Sequence, residues 1–497
     1  MLVCDTRTLS AFRYHSIVKL QVFLLIIVLL SRPLGAQDLP DLGDASQSTL
    51  SPAQELMFGK AIMSQIRASP GYLDDAEVSD YLNEVGFRLV ANCPDPGGHF
   101  EFFAVNDKSV NAFALPGGFI GVHSGLLLTA QSESEFIGVM GHEIAHVTQR
   151  HLARMMAVQK QSRLTSLAAI AVAILAARSN AQLSQGAIAA AAAAPLQSQL
   201  NYSRDNEREA DRIGLQIVQK SDYDVHAVPV FFERLQRASQ IYEGGAPSYL
   251  RTHPLTFERI ADIQNRVSEM PYRQVPDSLA FHMVRARLTA LDGSPSDAVL
   301  IFSERIRQKK YANEVAARYG YAVALLRQDE LKPSDVATAR GQVDMLLEKA
   351  PDDPMILALH AQLEMRTGQA QVGLSIYRQA LRLYPTRRSL MYGYSAALIN
   401  SGRAQEAVEF LDRSLDRVAP DPRLYELKAQ AHSLLGEQLR QHRARAEALL
   451  LRGNLRAAIE QLRFAQASAD GDFYERSGVD ARLRELTAFE AELRRDN

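Results

Sequence analysis

Gly368, Gly402 and Gly436 follow one another at intervals of 34 residues, and Pro351 and Pro385 repeat that interval. A period of this length is one supersecondary unit: a helix, a turn at the glycine, and a second helix, as in Ala358-Leu359 to Tyr377 and again in Tyr394 to Phe410. One helix pair cannot bury its own apolar face, so several must stack into a superhelix. The chain from about Ala280 is therefore expected to be an all-α array, with Met270 to Asp277 as the linker before it. Turns near Asp292-Gly293 and after Arg327 fit the period less well, and Gly453 follows Gly436 by only 17, as terminal units do. The extended concave surface of such an array implies a protein or peptide partner.

The second constraint is chemical. In the stretch from Gly141 to His151, His142 and His146 stand four apart with Glu143 beside the first. Four residues of helix turn through about 400°, so both imidazoles leave one face, a turn apart, as a single zinc ion requires. Glu143 lies roughly 100° round from His142, able to reach a metal-bound water but poorly placed as a ligand, which makes it the natural general base. Chance would produce this pattern about 0.02 times in such a chain. Ser132 and Glu135 offer a capping box just ahead. Met140, Ile144 and Val147 then form an apolar back face opposite the two histidines, and on the same wheel His151 falls on that back, as a structural or solvent-facing residue rather than a third ligand.

Ahead of this helix, Ser51-Pro52-Ala53-Gln54 opens a helix to about Arg67, a second covers Val78 to Val90, and Asn92 to Gly98 breaks it. Short strand-like runs at Phe100 to Val105, Val110 to Leu115 and Phe119 to Val122 predict a small antiparallel sheet. The fold class is thus mainly α: an α+β domain with a small β-sheet, then the helical superhelix. Beyond the metal helix, residues 164–194 are dominated by alanine, with an eleven-residue apolar core from Leu167 to Ala177 that is short for a membrane span. This segment is either a pair of packed helices, a lid, or an element lying on a membrane surface. Further on, Glu207 and Asp211 share a helix face, a placing that suits either a metal ligand plus a carboxylate orienting a ligand histidine, or a solvated, salt-bridged helix.

The balance of 55 Lys+Arg against 57 Asp+Glu, a formal charge of −2, gives no reason to expect a nucleic-acid partner. Arg7, Arg13 and Lys19 precede an apolar run from Val22 to Leu30 and then Pro33-Leu34-Gly35-Ala36-Gln37, the pattern of a secretory signal cut after Ala36. The run falls well short of the roughly 20 residues that span a bilayer. Cys4 would leave with the signal, and Cys93 alone makes no intrachain disulfide.

With His-Glu-Ile-Ala-His followed some 60 residues later by Asn-Glu-Arg-Glu-Ala-Asp, the chain resembles the zinc metallopeptidase family that includes the heat-shock membrane protease and the prenyl-protein endopeptidases. Glu207 matches that family's third zinc ligand. The stretch from Asn111 to Leu127 and Thr252-His253-Pro254-Leu255-Thr256-Phe257-Glu258-Arg259-Ile260 are similar to one soluble, exported branch, in which the peptidase domain is joined to tetratricopeptide repeats. The resemblance implies one zinc per subunit on His142, His146 and Glu207, a water in the fourth position, and peptide-bond hydrolysis with Glu143 as base and Asp211 as orienting carboxylate. It places His253 near the zinc, where it would either fill the open position and hold the enzyme latent or donate to the tetrahedral oxyanion; an ordinary loop histidine is the plainer alternative. It further implies a periplasmic protein with a chaperone-like role in assembly and quality control of outer-membrane proteins, unfolded or stalled ones being the clients and the assembly machinery docking on the repeats. The competing expectation is a non-proteolytic adaptor with a latent site. The expected organisation is a signal peptide (1–36), a self-contained peptidase domain (37–270), a linker (271–279) and the repeat domain (280–497).

Overall fold

The computed structural model describes residues 50–159, 204–241 and 248–495, so the expected signal segment and the Ala-rich stretch 164–194 lie outside the described residues. Helix α1 (Pro52–Ala68) starts as its sequence dictates: Gln54 N–H donates to Ser51 Oγ at 3.3 Å and Ser51 N–H to Gln54 Oε1 at 2.9 Å, with proline in the first turn. Asp75 caps α2 (Ala76–Val90). Three strands follow, β1 (Glu101–Val105), β2 (Ala112–Leu115) and β3 (Phe119–His123), in the spatial order β1-β3-β2.

The sheet is mixed, not antiparallel as its short runs suggest. β2 and β3 form the expected hairpin, with Leu115 opposite Phe119, but β1 runs parallel to β3, with Glu101 beside Phe119 and Val105 beside His123. The hairpin turn sets this arrangement. Gly118, at φ 82°, lies so close to the chain entering β1 that a Cβ there would fall 1.7 Å from His99 O, and Glu101 N–H donates to Gly118 O. β1 and β3 therefore start side by side and run the same way, which leaves β2 on the edge.

After the short helix α3 (Ser124–Thr129) comes α4 (Glu133–Thr148), which carries His142, Glu143 and His146. Every residue from Glu133 to His146 is buried, so this helix lies inside the domain rather than half against it. It is enclosed by β2, α2, α6 (Arg204–Lys220) and α7 (Ala227–Ile241), with α5 (His151–Gln159) leading away from its end. The short α8 (Ser248–Thr252) and α9 (Phe257–Ser268) close the domain. Small residues make this possible: a Cβ on Gly138 would meet Val228 of α7 at 2.6 Å, and one on Gly214 of α6 would meet the α4 backbone. The capping box at Ser132 is only half formed. Ser132 Oγ accepts from Glu135 N–H, but the Glu135 carboxylate turns to Gln131 N–H and Arg234.

The array comprises α10 (Leu279–Leu291), α11 (Pro295–Arg307), α12 (Glu314–Leu326), α13 (Pro333–Lys349), α14 (Pro354–Arg366), α15 (Ala370–Leu383), α16 (Arg388–Asn400), α17 (Ala404–Leu415), α18 (Pro422–Leu435), α19 (Gln438–Leu451), α20 (Leu455–Ala467) and α21 (Phe473–Arg495). Gly368, Gly402 and Gly436, at φ between 73° and 80°, stop the first helix of successive pairs. Gly453 stops the second helix of its pair, which explains its half-period spacing.

One apolar core runs without a break from Val78 through Phe136, Phe231 and Phe281 to Leu363, so peptidase helices and the first repeats share it. Polar ties reinforce the junction. Arg287 of α10 grips both oxygens of Asp75 at 2.7 Å, and Arg387 reaches Glu77 at 3.0 Å. The N-termini of α4 and α10 also exchange carboxylates: Glu133 N–H donates to Asp277 Oδ1 at 2.7 Å, while Ser278 N–H and Oγ–H donate to Glu133 at 2.8 and 2.9 Å. Each acid thereby sits on the positive end of the other's helix. No helix among the described residues is long and apolar enough to cross a membrane.

Candidate metal centre

α4 carries His142, Glu143 and His146, α6 carries Glu207 and Asp211, and the turn after α8 carries His253; the structure brings all six together in the domain interior, each at most 5% exposed. His142 Nε2 lies 3.0 Å from His146 Nε2, 3.5 Å from Glu207 Oε2 and 3.4 Å from His253 Nδ1. His146 Nε2 and His253 Nδ1 stand 3.4 and 3.0 Å from Glu207 Oε1. Donors about 2.0–2.1 Å from a tetrahedral zinc stand about 3.3 Å from one another, so this set of three imidazoles and a carboxylate fits such an ion in both spacing and chemistry. The four residues are the group of histidines and acids among the described residues able to hold a metal.

The surroundings orient these donors. Asp211 Oδ1 lies 3.0 Å from His142 Nδ1, a placing that would let it orient this imidazole towards an ion. Burial works against a charged His142, but Asp211 and Glu207 outweigh it and push the imidazole up to about 10. Burial pushes His146 well below its ordinary value, with the Glu207 hydrogen bond opposing. For Glu207 burial is outweighed by His253, His142 and His146, which hold it well below the usual carboxylate range, ionised as a ligand should be. Glu143, fully buried, is pushed up by that burial against the pull of His253 and His142, towards the proton affinity a general base needs. Its carboxylate faces the Ala114 backbone of β2 and, at 3.6 Å, His253 Nε2.

His151 is not where a single helical wheel puts it. α4 ends at Thr148 and Arg150 takes a left-handed φ of 51°, so α5 starts at His151 in a new direction. The ring turns inward, fully buried, with Nδ1 at 2.8 Å from His146 Nδ1 and Nε2 at 3.0 Å from Glu209. Burial pushes it down to about 4, so it is neutral at ordinary pH.

Two further residues, Arg259 and Tyr249, join the site. Arg259 binds Asp211 through Nε and Nη2 at 2.9 and 2.8 Å, Glu207 through Nη1 at 2.7 Å, and the Pro254 carbonyl at 2.8 Å, tying both carboxylates to the turn that carries His253. Its signal was present: it lies four before Ile263, on the apolar face of α9, and an arginine on a buried face must have anionic partners. Tyr249 stacks on His253 with ring centroids 4.8 Å apart, and its N–H donates to Val110 O beside β2. Nothing in its sequence neighbourhood marks it.

Two imidazoles one turn apart, a carboxylate from a crossing helix, and a buried glutamate beside an edge strand define a metallopeptidase of the His-Glu-x-x-His kind. Residues 75–267 match the model of peptidase family M48, and residues 364–431 match a tetratricopeptide repeat. The putative beta-barrel assembly-enhancing protease of Vibrio cholerae is 35% identical over 451 residues, covering 90% of this chain and 92% of that one. The beta-barrel assembly-enhancing protease of Escherichia coli K12 is 32% identical over 457 residues, 91% of each chain. The mitochondrial metalloendopeptidase OMA1 of Schizosaccharomyces pombe is 30% identical over 190 residues, 38% of this chain and 53% of that one. The chain belongs to the family of beta-barrel assembly-enhancing proteases, metalloendopeptidases that join an M48 peptidase domain to tetratricopeptide repeats.

Proposed function

We propose that the chain is an exported, periplasmic zinc endopeptidase that acts on unfolded or stalled outer-membrane proteins recruited by its repeats, with its site held latent at rest by His253. His142, His146 and Glu207 are the proposed ligands of one zinc, Asp211 fixes His142, and Glu143 is the general base. When bound, zinc acidifies a water and polarises the scissile carbonyl. Glu143 would take a proton from the attacking water and pass it to the leaving amine, and its burial raises its proton affinity in the direction that role needs. β2, on the sheet edge beside Glu143, would align an extended client by backbone pairing, which favours unfolded chains over compact ones. The boundaries at 37–270, 271–279 and 280–497 belong to the same proposal, supported by the lack of regular structure between α9 and α10, but the apolar core that runs on to Leu363 makes the peptidase part continuous with the first repeats rather than self-contained.

The observation that carries the latent reading is the position of His253: 1% exposed, it points Nδ1 into the donor set at 3.0 Å from Glu207 and 3.4 Å from His142. An imidazole there stands where a fourth ligand would, and Pro254 stiffens the turn behind it, so release requires the loop to move. The same closure supports a second reading, in which the repeats act as a chaperone or adaptor while the peptidase stays silent. Zinc analysis and proteolysis of an unfolded test protein separate these. Glu143→Gln should keep its zinc and lose hydrolysis, while His146→Ala and Glu207→Gln should lose zinc. His253→Ala should keep zinc and cleave faster than the parent; slower cleavage would make His253 an oxyanion donor instead. No cleavage by parent or His253→Ala, with envelope proteins still bound, would favour the adaptor.

A further inference from the structure

His151 is a fully buried imidazole, five residues from a proposed ligand, for which hydrolysis has no use. The reading of His146 as a ligand through Nε2, together with these contacts, sets the order of protons along the chain His146–His151–Glu209. Glu209 pairs with Arg154 at 2.6 Å and, as a carboxylate, can only accept. The 3.0 Å contact between Glu209 Oε2 and His151 Nε2 therefore needs the proton on that nitrogen. An imidazole that meets a metal through Nε2 keeps its proton on Nδ1, so across the 2.8 Å contact His146 Nδ1–H donates and His151 Nδ1 accepts, consistent with the His151 proton standing on Nε2 towards Glu209. His146 then has a bare lone pair on Nε2, the atom that faces His142 Nε2 and Glu207.

We infer that His151 and Glu209 are positioning residues: a two-step relay that fixes the tautomer and ring orientation of His146 so that Nε2 is presented to the metal. The proposal rests on the reading of His146 as a ligand. It makes α6 a double brace. Glu209 and Asp211 lie two residues apart on that helix, Asp211 holding His142 directly and Glu209 holding His146 through His151. The indirect route follows from direction: Glu209 faces α5, where Arg154 and His151 meet it, while Asp211 faces α4.

The test uses the full chain and zinc alone, with its dissociation constant read by competition with a chelator and its ligand geometry by the visible absorption of the cobalt(II)-substituted protein. In His151→Asn the side-chain oxygen stands near the old Nδ1 and can still accept from His146; in His151→Phe the ring is filled but the acceptor is gone. The relay predicts that His151→Phe weakens zinc by about 10- to 100-fold and shifts the cobalt spectrum, while His151→Asn is closer to the parent on both. Glu209→Gln, which keeps an accepting oxygen, should bind zinc more tightly than Glu209→Leu. A residue that merely fills space predicts the opposite order, with phenylalanine the milder change, and that order would overturn the relay. His146→Ala separates the two layers. Zinc lost there but kept in His151→Phe removes only the relay, whereas zinc kept in His146→Ala removes the ligand reading on which it stands.

Discussion

α4 and α6 touch backbone to backbone where Gly141 meets Gly214, and that closeness is what lets Glu207 and Asp211 reach His142. A methyl group at Gly214 would lie 3.0 Å from His142 N and 3.1 Å from Gly141 C and His142 Cα. Ordinary carbon contacts lie at about 3.5–4.0 Å, so Gly214→Ala must part the helices by roughly 0.5 Å, and no rotamer change relieves a clash with backbone. Overpacking of this kind costs about 1–3 kcal/mol. In the metal-free protein the helices can drift apart and shed much of that strain. Zinc must then draw them back, and because about 1.4 kcal/mol is a factor of ten, its affinity should fall about 5- to 150-fold. Chelator competition on the purified full chain measures this, with thermal unfolding of the metal-free forms beside it. The expected result is weaker zinc with a metal-free melting temperature near the parent's. Zinc bound as tightly as by the parent would refute the link between the helix crossing and the donor set.

Arg259→Met strands Asp211 and Glu207 in the interior; losing one partner of a buried ion pair costs about 3–5 kcal/mol, and denaturant unfolding should show a smaller loss with zinc present, since the ion compensates Glu207. Arg259→Lys should rescue little of this, because an ammonium cannot grip Asp211 through two nitrogens as the guanidinium does. Asp75 supplies a pH signature: burial opposes ionisation, but Arg287 and the first N–H groups of α2 prevail and lower its pKa. A carboxyl lowered on folding adds stability above its unfolded value of about 3.9 and loses it as pH falls through the folded value. The stability gap between parent and Asp75→Asn should therefore be full at neutral pH and close in acid; a gap constant down to about pH 2 would contradict the ion pair. Gly341→Ala, on α13 with nothing within 4 Å of the new methyl, should raise stability by about 0.5–1 kcal/mol, and a loss would mean that the helix there is not regular.

Local chemistry was legible in the sequence and tertiary geometry was not. His142, Glu143 and His146 belong to one helix, so their relative directions follow from its pitch, and the cap at Ser51 and the glycine period of the repeats are equally local. Legibility stopped where the helix did: the left-handed turn at Arg150 redirects His151, and an arginine gives no hint of that conformation. The buried face of its helix marks Arg259 as needing an anion but does not say that Asp211, 48 residues away, supplies it, and Glu209 and the Tyr249 N–H find Arg154 and Val110 at 55 and more than a hundred residues. The parallel pairing of β1 with β3 was hidden for the same reason, since strand runs carry no record of which neighbours lie beside them.

The exchange of carboxylates between Glu133 and Asp277 bears on the order of folding. These groups are separated by 144 residues, so a chain made from its N-terminus presents Glu133 long before Asp277 and Ser278 exist. Until then the first turn of α4 lacks its acceptor, the Glu133 carboxylate lacks two of its donors, and Phe281 is missing from beside Tyr81. Closing so long a loop is a late event. The helix that carries His142 and His146 thus gains its last polar partners and the Phe281 contact only once the first helix of the array has been synthesised, so the candidate site and the start of the array are completed together.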